Sequence, residues 1–348
     1  VSVIAIVGGG ASGIALAREL DRCNKKYVIY ESRQLGATWA SVPADLKVLS
    51  PWWTNILDAS DFFNFNPFGK PTARKYLTHL LKVVQKLNGQ ILEGVSIKQI
   101  ESSNQGARWK LTAESGQIYH HNVVVVATGY FFSPAMPDPL FESDKSIPIV
   151  HASSIKNYSE FDSLCLATDP VLVVGGRVTA GQIMLELDRR NIAFDMSVRS
   201  EILFRRHGFF AFLRESVYFI VEEIVSRLLP PQKQNSYPAM DGGKTQELIS
   251  SGVVGIHPTI KSCFNGVVEF SNGAKKKYSA IILATGYHPC IQILSGLVNN
   301  ITALPPMDGF KVSSCDGIYL LGFDNLYDHR SRYLRGIRQD AKKLANAL

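Results

Sequence analysis

Val3-Ile4-Ala5-Ile6-Val7-Gly8-Gly9-Gly10-Ala11-Ser12-Gly13 opens the chain with an apolar, β-branched run that breaks into glycine. The run reads as an apolar strand. Gly8-x-Gly10-x-x-Gly13 reads as the turn that delivers it into a helix, expected over Ile14 to Cys23. A second strand, Val28-Ile29-Tyr30, ends in Glu31. Gly8 permits the tight turn, Gly10 lets backbone approach a pyrophosphate, and Gly13 lets helix and strand pack closely. The free N–H groups at the helix start face phosphate oxygens. Glu31 stands where a carboxylate accepts from both hydroxyls of a ribose. The glycines alone are a weak signal; with the flanking strand, the helix and Glu31 they become specific. Gly8, Gly10, Ala11, Ser12, Gly13 and Glu31 are therefore candidate dinucleotide-binding residues.

The device recurs in the second half. Val171-Leu172-Val173-Val174 runs into Gly175-Gly176-Arg177-Val178-Thr179-Ala180, giving Gly175, Arg177, Thr179 and Ala180 as candidate contacts. Alanine at the third place still packs a helix. Arginine at the middle place departs from the pattern, because a side chain there obstructs close approach of a pyrophosphate. Arg177 either lends its charge to the phosphates or marks a site that binds weakly or not at all. The following strand, Phe194 to Val198, ends in Val198-Arg199-Ser200 with no acid in the place of Glu31. Arg199 favours a ribose bearing a 2′-phosphate, hence NADPH over NADH, although Glu201 opposes it and a solvated arginine is the plainer alternative. Each half closes on Ala-Thr-Gly-Tyr after an apolar strand: Ala127-Thr128-Gly129-Tyr130 and Ala284-Thr285-Gly286-Tyr287. Two dinucleotide turns in one chain point to an enzyme passing electrons from a nicotinamide to a flavin.

The expected fold is α/β, with two dinucleotide-binding Rossmann-like domains, the second inserted into the first. Residues 1–160 and 285–348 would bind FAD, and 165–284 would bind NADP. Within the first half, Ile91 to Ile100, Arg108 to Ala113 and Gln117 to His120 read as a small antiparallel sheet, after a helix from Thr72 to Leu87. A final helix is expected from Ser331. With 348 residues, 46% of them apolar, the chain can bury cores for two domains. No run of 18 apolar residues predicts a membrane span, and no basic, hydrophobic leader precedes the first strand, so a cytoplasmic location is expected. The net charge of +7 is dispersed, apart from Lys275-Lys276-Lys277, read as a solvated hairpin, and the arginines 330, 332, 335 and 338. Those arginines could serve cofactor phosphates or lie in water. No basic face with interleaved aromatics speaks for nucleic acid. The five cysteines (23, 165, 263, 290 and 315) have no metal-ligand or CxxC spacing, and reduced thiols are expected.

Asn55, in Trp52-Trp53-Thr54-Asn55, can donate and accept without titrating, and read alone is a turn residue. His151, after Ile147-Pro148-Ile149-Val150, reads as structural more readily than catalytic. Phe209 to Val221 is unusually apolar. It is read as an amphipathic helix on its own domain, or as a lid, a lipophilic contact or a homo-oligomer contact.

The glycine turn, Glu31, Leu35-Gly36-Ala37-Thr38-Trp39, Leu49 to Asn55, His151, the second turn, both Ala-Thr-Gly-Tyr segments and the tail Leu334 to Ala345 resemble the flavin-containing monooxygenases, and most nearly their small bacterial CzcO-like branch. The resemblance spans nearly the whole chain. It implies FAD reduced by NADPH, then O2 added to give a C4a-hydroperoxyflavin that oxygenates a small organic substrate, at nitrogen by preference. It implies that Asn55 is catalytic, holding the flavin adduct by hydrogen bonding, and that Thr54 lies beside flavin and nicotinamide. Thr38, Trp39, Val95, Ala127, Thr128, Gly129, Thr285 and Gly286 complete the candidate cofactor contacts. Two departures bear on the nicotinamide side: Arg177, and a linker in which Lys145, Ile147 and Ile155 replace the family's aromatic and glycine neighbours of His151. The alternatives are a flavin reductase or electron-transfer flavoprotein on the same scaffold, and a flavin-binding protein with a degenerate nicotinamide site.

Overall fold

The computed structural model describes residues 3–103, 106–137, 146–164, 169–205, 211–228, 230–231, 233, 240–241 and 243–348. The chain packs as two compact units. One comprises Val1–Ser133, Phe219–Asn235 and His288–Leu348; the other comprises Pro134–Tyr218 and Ser236–Tyr287. These bounds differ from the expected ones for two physical reasons. The strand Ile149–His151 pairs in parallel with Ala280–Leu283, which draws 134–160 into the second unit. Glu222 and Glu223 form ion pairs with Arg335 and Arg338, which draw their segment into the first.

The first unit is built on a seven-stranded sheet. Its order is Met307–Asp308, Lys311–Val312, Ile318–Leu320, Val124–Val126, Ile4–Val7, Tyr27–Glu31 and Gln90–Glu93. From Ile318–Leu320 onward every pair is parallel. The opening strand alternates between two cores, as a strand's two-residue period requires. Ile4 and Ile6 join Ile14, Leu16, Leu20 and the closing helix on one face. Ala5 and Val7 join Val124, Val126, Ile318 and Leu320 on the other. The first helix runs from Ala11 to Arg22, beginning three residues before its expected start because Gly10 already serves as its N-cap.

The expected strand Ile91 to Ile100 is two strands. Gln90–Glu93 completes the parallel sheet, Gly94 turns with φ +73°, and Ile97–Ser102 starts a separate antiparallel sheet with Trp109–Ala113 and Ile118–His121. The final helix begins at Leu334, not Ser331. Ser331 is held instead in a turn, where its hydroxyl accepts from the N–H groups of Tyr327 and Asp328.

The second unit carries a five-stranded sheet, Ile256–His257, Phe194–Ser197, Val171–Val174, Ala280–Leu283 and Ile149–His151, parallel throughout. The hairpin bearing Lys275-Lys276-Lys277 is exposed, as expected, and its lysines also reach carboxylates. Lys276 Nζ lies 2.7 Å from the buried Asp195 carboxylate, and Lys275 and Lys277 pair with Glu269 and Asp169.

The helix Ala211–Leu228 covers most of the apolar stretch; Phe209 and Phe210 lie outside the described residues. Phe219 is buried, while Val217, Tyr218, Ile220, Val221, Ile224, Val225 and Leu228 are exposed. Among the described residues no helix is long and apolar enough to cross a membrane.

Candidate dinucleotide sites

The first glycine turn has the geometry its sequence demands. Gly8 takes φ +112°, and a Cβ there would stand 2.6 Å from the Ala127 carbonyl oxygen. A Cβ on Gly13 would run into the Gly8 carbonyl, so the helix start can close on the strand only without one. Gly10 differs: a Cβ there would meet no atom within 4 Å. Its bareness serves no packing in the polypeptide, which is what a surface reserved for a phosphate group requires. Ser12 is buried in the same turn.

Glu31 sits at the end of the neighbouring strand. Its carboxylate accepts from Gly9 N–H at 2.6 Å, Arg33 N–H at 2.8 Å and Ser32 Oγ at 3.1 Å. A carboxylate offers about four lone-pair sites, so capacity remains for a ribose hydroxyl. Val95 is tied to the same place, its N–H donating to the Glu31 carbonyl at 2.9 Å. Thr38 and Trp39 belong to a short helix, Ala37–Ala40, anchored to the turn by Gly36 N–H donating to Gly9 O at 2.9 Å. The Trp39 ring packs against Tyr76 with centroids 4.7 Å apart. Beside Ala127, the Thr128 hydroxyl donates to Cys290 O, and Gly129 takes φ +67°.

The second turn repeats the first bond for bond. Gly8 N–H donates to Tyr30 O and Gly175 N–H to Ser197 O, each at 2.9 Å; Ala127 N–H donates to Val7 O and Ala284 N–H to Val174 O, each at 2.8 Å. Ile14 N–H meets Gly10 O and Gly181 N–H meets Arg177 O, each at 3.0 Å. Arg177 therefore occupies the backbone place of Gly10 as N-cap of its helix, and the buried Ala180 takes that of Gly13. Thr179 lies half-buried in the first turn of that helix. Strand register gives Val198, not Arg199, the place in the second repeat that Glu31 holds in the first; Arg199 is the next residue and is exposed.

Thr285 and Gly286 fall in the second unit, not in the flavin-side segment expected for them. The Thr285 hydroxyl donates to Ala135 O at 2.6 Å, and Gly286 O accepts from His151 Nε2 at 3.1 Å. His151 Nδ1 accepts from Ser153 N–H at 3.1 Å. Burial lowers the His151 pKa, so the ring is neutral with its proton on Nε2. It is a clasp inside its unit, as a structural histidine should be.

Asn55 is fully enclosed. Its Nδ2 donates to Ser50 O at 3.1 Å and Pro51 O at 2.9 Å, while its Oδ1 accepts from Ser50 Oγ at 2.8 Å and Thr54 Oγ1 at 3.3 Å. Both amide protons are thus engaged within its own turn. Thr54 is likewise turned inward, donating to Pro51 O at 2.7 Å. Neither side chain is free to reach outward.

Four buried polar atoms of the first unit have no hydrogen-bond partner among the described residues: Trp53 Nε1, Asp324 Oδ1, His329 Nδ1 and Asp340 Oδ2. Unpartnered buried polar atoms are costly and rare, so they suit a site that takes a polar ligand. Sequence reasoning passed over them, although Asp324 lies four residues after the apolar strand Ile318–Leu320. The tail arginines are not spread toward phosphates or water. Arg330 is buried against Asp328 at 2.6 Å, Arg335 lies 2.7 Å from Glu222, and Arg332 lies 3.1 Å from Asp324. The described cysteines 23, 263, 290 and 315 are free thiols.

A family model described as "Pyridine nucleotide-disulphide oxidoreductase" matches residues 5–322. The chain is 25% identical over 380 residues to the probable indole-3-pyruvate monooxygenase YUCCA4 of Arabidopsis thaliana, covering 98% of this chain and 88% of that one. It is 22% identical over 355 residues to the uncharacterized oxidoreductase CzcO of Bacillus subtilis, covering 99% and 98%. Among solved structures, the flavin-containing monooxygenase from Stenotrophomonas maltophilia superposes with a TM-score of 0.78 at 19% identity, covering 99% of this chain and 97% of that one. That last likeness is one of mixed α/β fold.

Proposed function

We propose, from the premise that the chain belongs to the pyridine nucleotide-disulphide oxidoreductase family and is an oxidoreductase using FAD and NADPH, that it is a monooxygenase inserting one atom of O2 into a small organic substrate. In this reading the chain holds two Rossmann-like dinucleotide-binding domains, the second inserted into the first. FAD lies on the first glycine turn and NADPH on the second. Bound flavin supplies the two-electron chemistry that takes reducing equivalents from NADPH and activates O2. Gly10 admits the pyrophosphate, the N–H groups of Ala11 and Ser12 face it, and Glu31 accepts from the ribose. Arg177 meets the nicotinamide's pyrophosphate through charge, where the first turn uses bareness. Arg199 faces the 2′-phosphate. Asn55 acts by holding its turn in shape, since its amide is already engaged.

The observation that carries the flavin assignment is the open face of Gly10 beside a Glu31 carboxylate with capacity to spare. Oxygen transfer draws its support from relatives named as monooxygenases, and nitrogen as the acceptor from the sequence resemblance.

The test uses FAD-loaded protein with NADPH, 18O-labelled O2 and three probes: a tertiary amine, a thioether and a cyclic ketone. NADPH should bleach the flavin without oxygen, and label should appear in the amine oxide once oxygen is admitted. If NADPH reduces the flavin but all oxygen leaves as peroxide with every probe, the protein is a reductase and the proposal fails. Arg177 is the feature that favours a weaker second reading, a flavoprotein with a degenerate nicotinamide site. Flavin that dithionite bleaches and NADPH does not would decide for it.

A further inference from the structure

We propose that Asp61 and His79 are positioning residues that brace the Trp52–Asn55 turn and so fix where the Trp53 indole N–H meets a bound flavin. The inference rests on the flavin reading above and adds to it a device the glycine turns do not contain.

The turn is gripped at both ends by this one pair. At its first residue, Trp52 Nε1 donates to the Asp61 carbonyl at 3.0 Å; just after its end, Leu57 N–H donates to His79 Nε2 at 2.8 Å. The two grips are joined by His79 Nδ1 and Asp61 Oδ2, 2.6 Å apart. Because Nε2 accepts from a backbone N–H, the ring proton resides on Nδ1 and is donated to the carboxylate. The second carboxylate oxygen of Asp61 is held by Lys82 Nζ at 3.2 Å and by Asn64 Nδ2. His79 is 1% exposed and Asp61 5%. The Trp52 ring stands edge-on to the imidazole, centroids 5.1 Å apart.

Burying a histidine–carboxylate pair is not an economical way to stabilise a turn, since an apolar pair of similar volume often does as well or better. What such a pair adds is a directed geometry. Within the turn the Asn55 amide is fully engaged, and Trp53 Nε1 is the buried donor left without an acceptor among the described residues. Trp53 is also steadied through its carbonyl, which accepts from Arg338 Nη1 at 3.4 Å. Its indole is therefore the part of the turn open to a polar acceptor on a bound molecule.

The test compares FAD-loaded wild type with His79→Ala, Asp61→Asn, Trp53→Phe and His79→Gln, whose amide oxygen can accept from Leu57 N–H. One readout is the visible circular dichroism of bound FAD. The other is peroxide released per NADPH oxidised. His79→Ala should bind FAD with an altered dichroic band and raise the peroxide fraction about tenfold, the scale expected for a small misplacement near a reacting centre. His79→Gln should restore most of both, and Trp53→Phe should reproduce the altered band without lowering the melting temperature. A wild-type band and coupling in His79→Ala would overturn the proposal. So would loss of FAD and earlier melting in His79→Gln as well as His79→Ala, which would make the pair a fold element only. If wild type transferred no oxygen at all, the monooxygenase reading would fall, and the dichroic comparison would still decide the brace.

Discussion

Gly10 and Gly13 stand three residues apart in one turn, yet what each lacks answers to a different partner. A Cβ on Gly13 meets the Gly8 carbonyl, so Gly13→Ala should cost the fold itself about 2 kcal/mol or more through overpacking. A Cβ on Gly10 meets nothing, so Gly10→Ala should leave the unfolding of FAD-free protein within about 0.5 kcal/mol of wild type while weakening FAD uptake at least several-fold. Thermal melts of FAD-free protein alongside flavin titrations separate the two; equal effects from both would remove the argument that Gly10 is bare for a ligand. Arg199 presents the parallel question on the nicotinamide side. If it faces a 2′-phosphate, Arg199→Ala loses a charge-assisted hydrogen bond of about 1.5 kcal/mol. The KM for NADPH should then rise about tenfold and that for NADH stay put. An unchanged ratio would return Arg199 to the solvent.

The closing helix Leu334–Ala347 illustrates what one polar residue does to an element. Ala341, Leu344 and Ala345 pack with Ile14, Leu16 and Leu20 of the first helix, and Asp340 is carried into that buried face with Oδ2 unpartnered among the described residues. Burial pushes its pKa up to about 7, against the pull of the neighbouring Ser331 hydroxyl. The folded state therefore holds a proton that the unfolded chain releases near pH 4. Stability from this group is full below that value and declines as pH rises toward 7. Asp340→Asn should accordingly raise the melting temperature less at pH 5 than at pH 8; an equal shift at both values would refute the buried acid. Nothing in the sequence marks Asp340, because a lone acid in a helical pattern reads as solvent-facing. The strands and the first helix were legible, since their apolar runs and glycines encode local geometry. The split at Gly94 was not, because the chain changes sheets there without any change in its apolar pattern. Asp61 and His79 escaped notice for a related reason: eighteen residues separate them, and only tertiary folding makes them a pair. The arginine tail was visible as charge, but its inward direction depends on Glu222 and Glu223, which sequence alone leaves in a distant helix.

Across the whole molecule, the repeated turn is the organising fact, and the cores show how far damage to one copy should travel. The strand and helix flanking the second turn pack into Val171, Val173, Ala180, Ile183, Met184 and Leu187 on one face and Leu172, Ile281 and Leu283 on the other. The first turn's strand packs into two cores drawn from its own unit. Units with separate cores can open separately. Gly175 takes φ +138°, and a Cβ there would press on the Ala284 carbonyl, so Gly175→Val adds strain and overlap to the second turn alone. The variant should bind FAD as wild type does and be bleached by dithionite, yet accept electrons from NADPH at least about tenfold more slowly, a barrier increase of about 1.4 kcal/mol. Anaerobic stopped-flow reduction beside a flavin-binding titration reads both quantities on one preparation. Loss of FAD from this variant would mean that the two turns stand or fall together, and the assignment of one nucleotide to each would have to be abandoned.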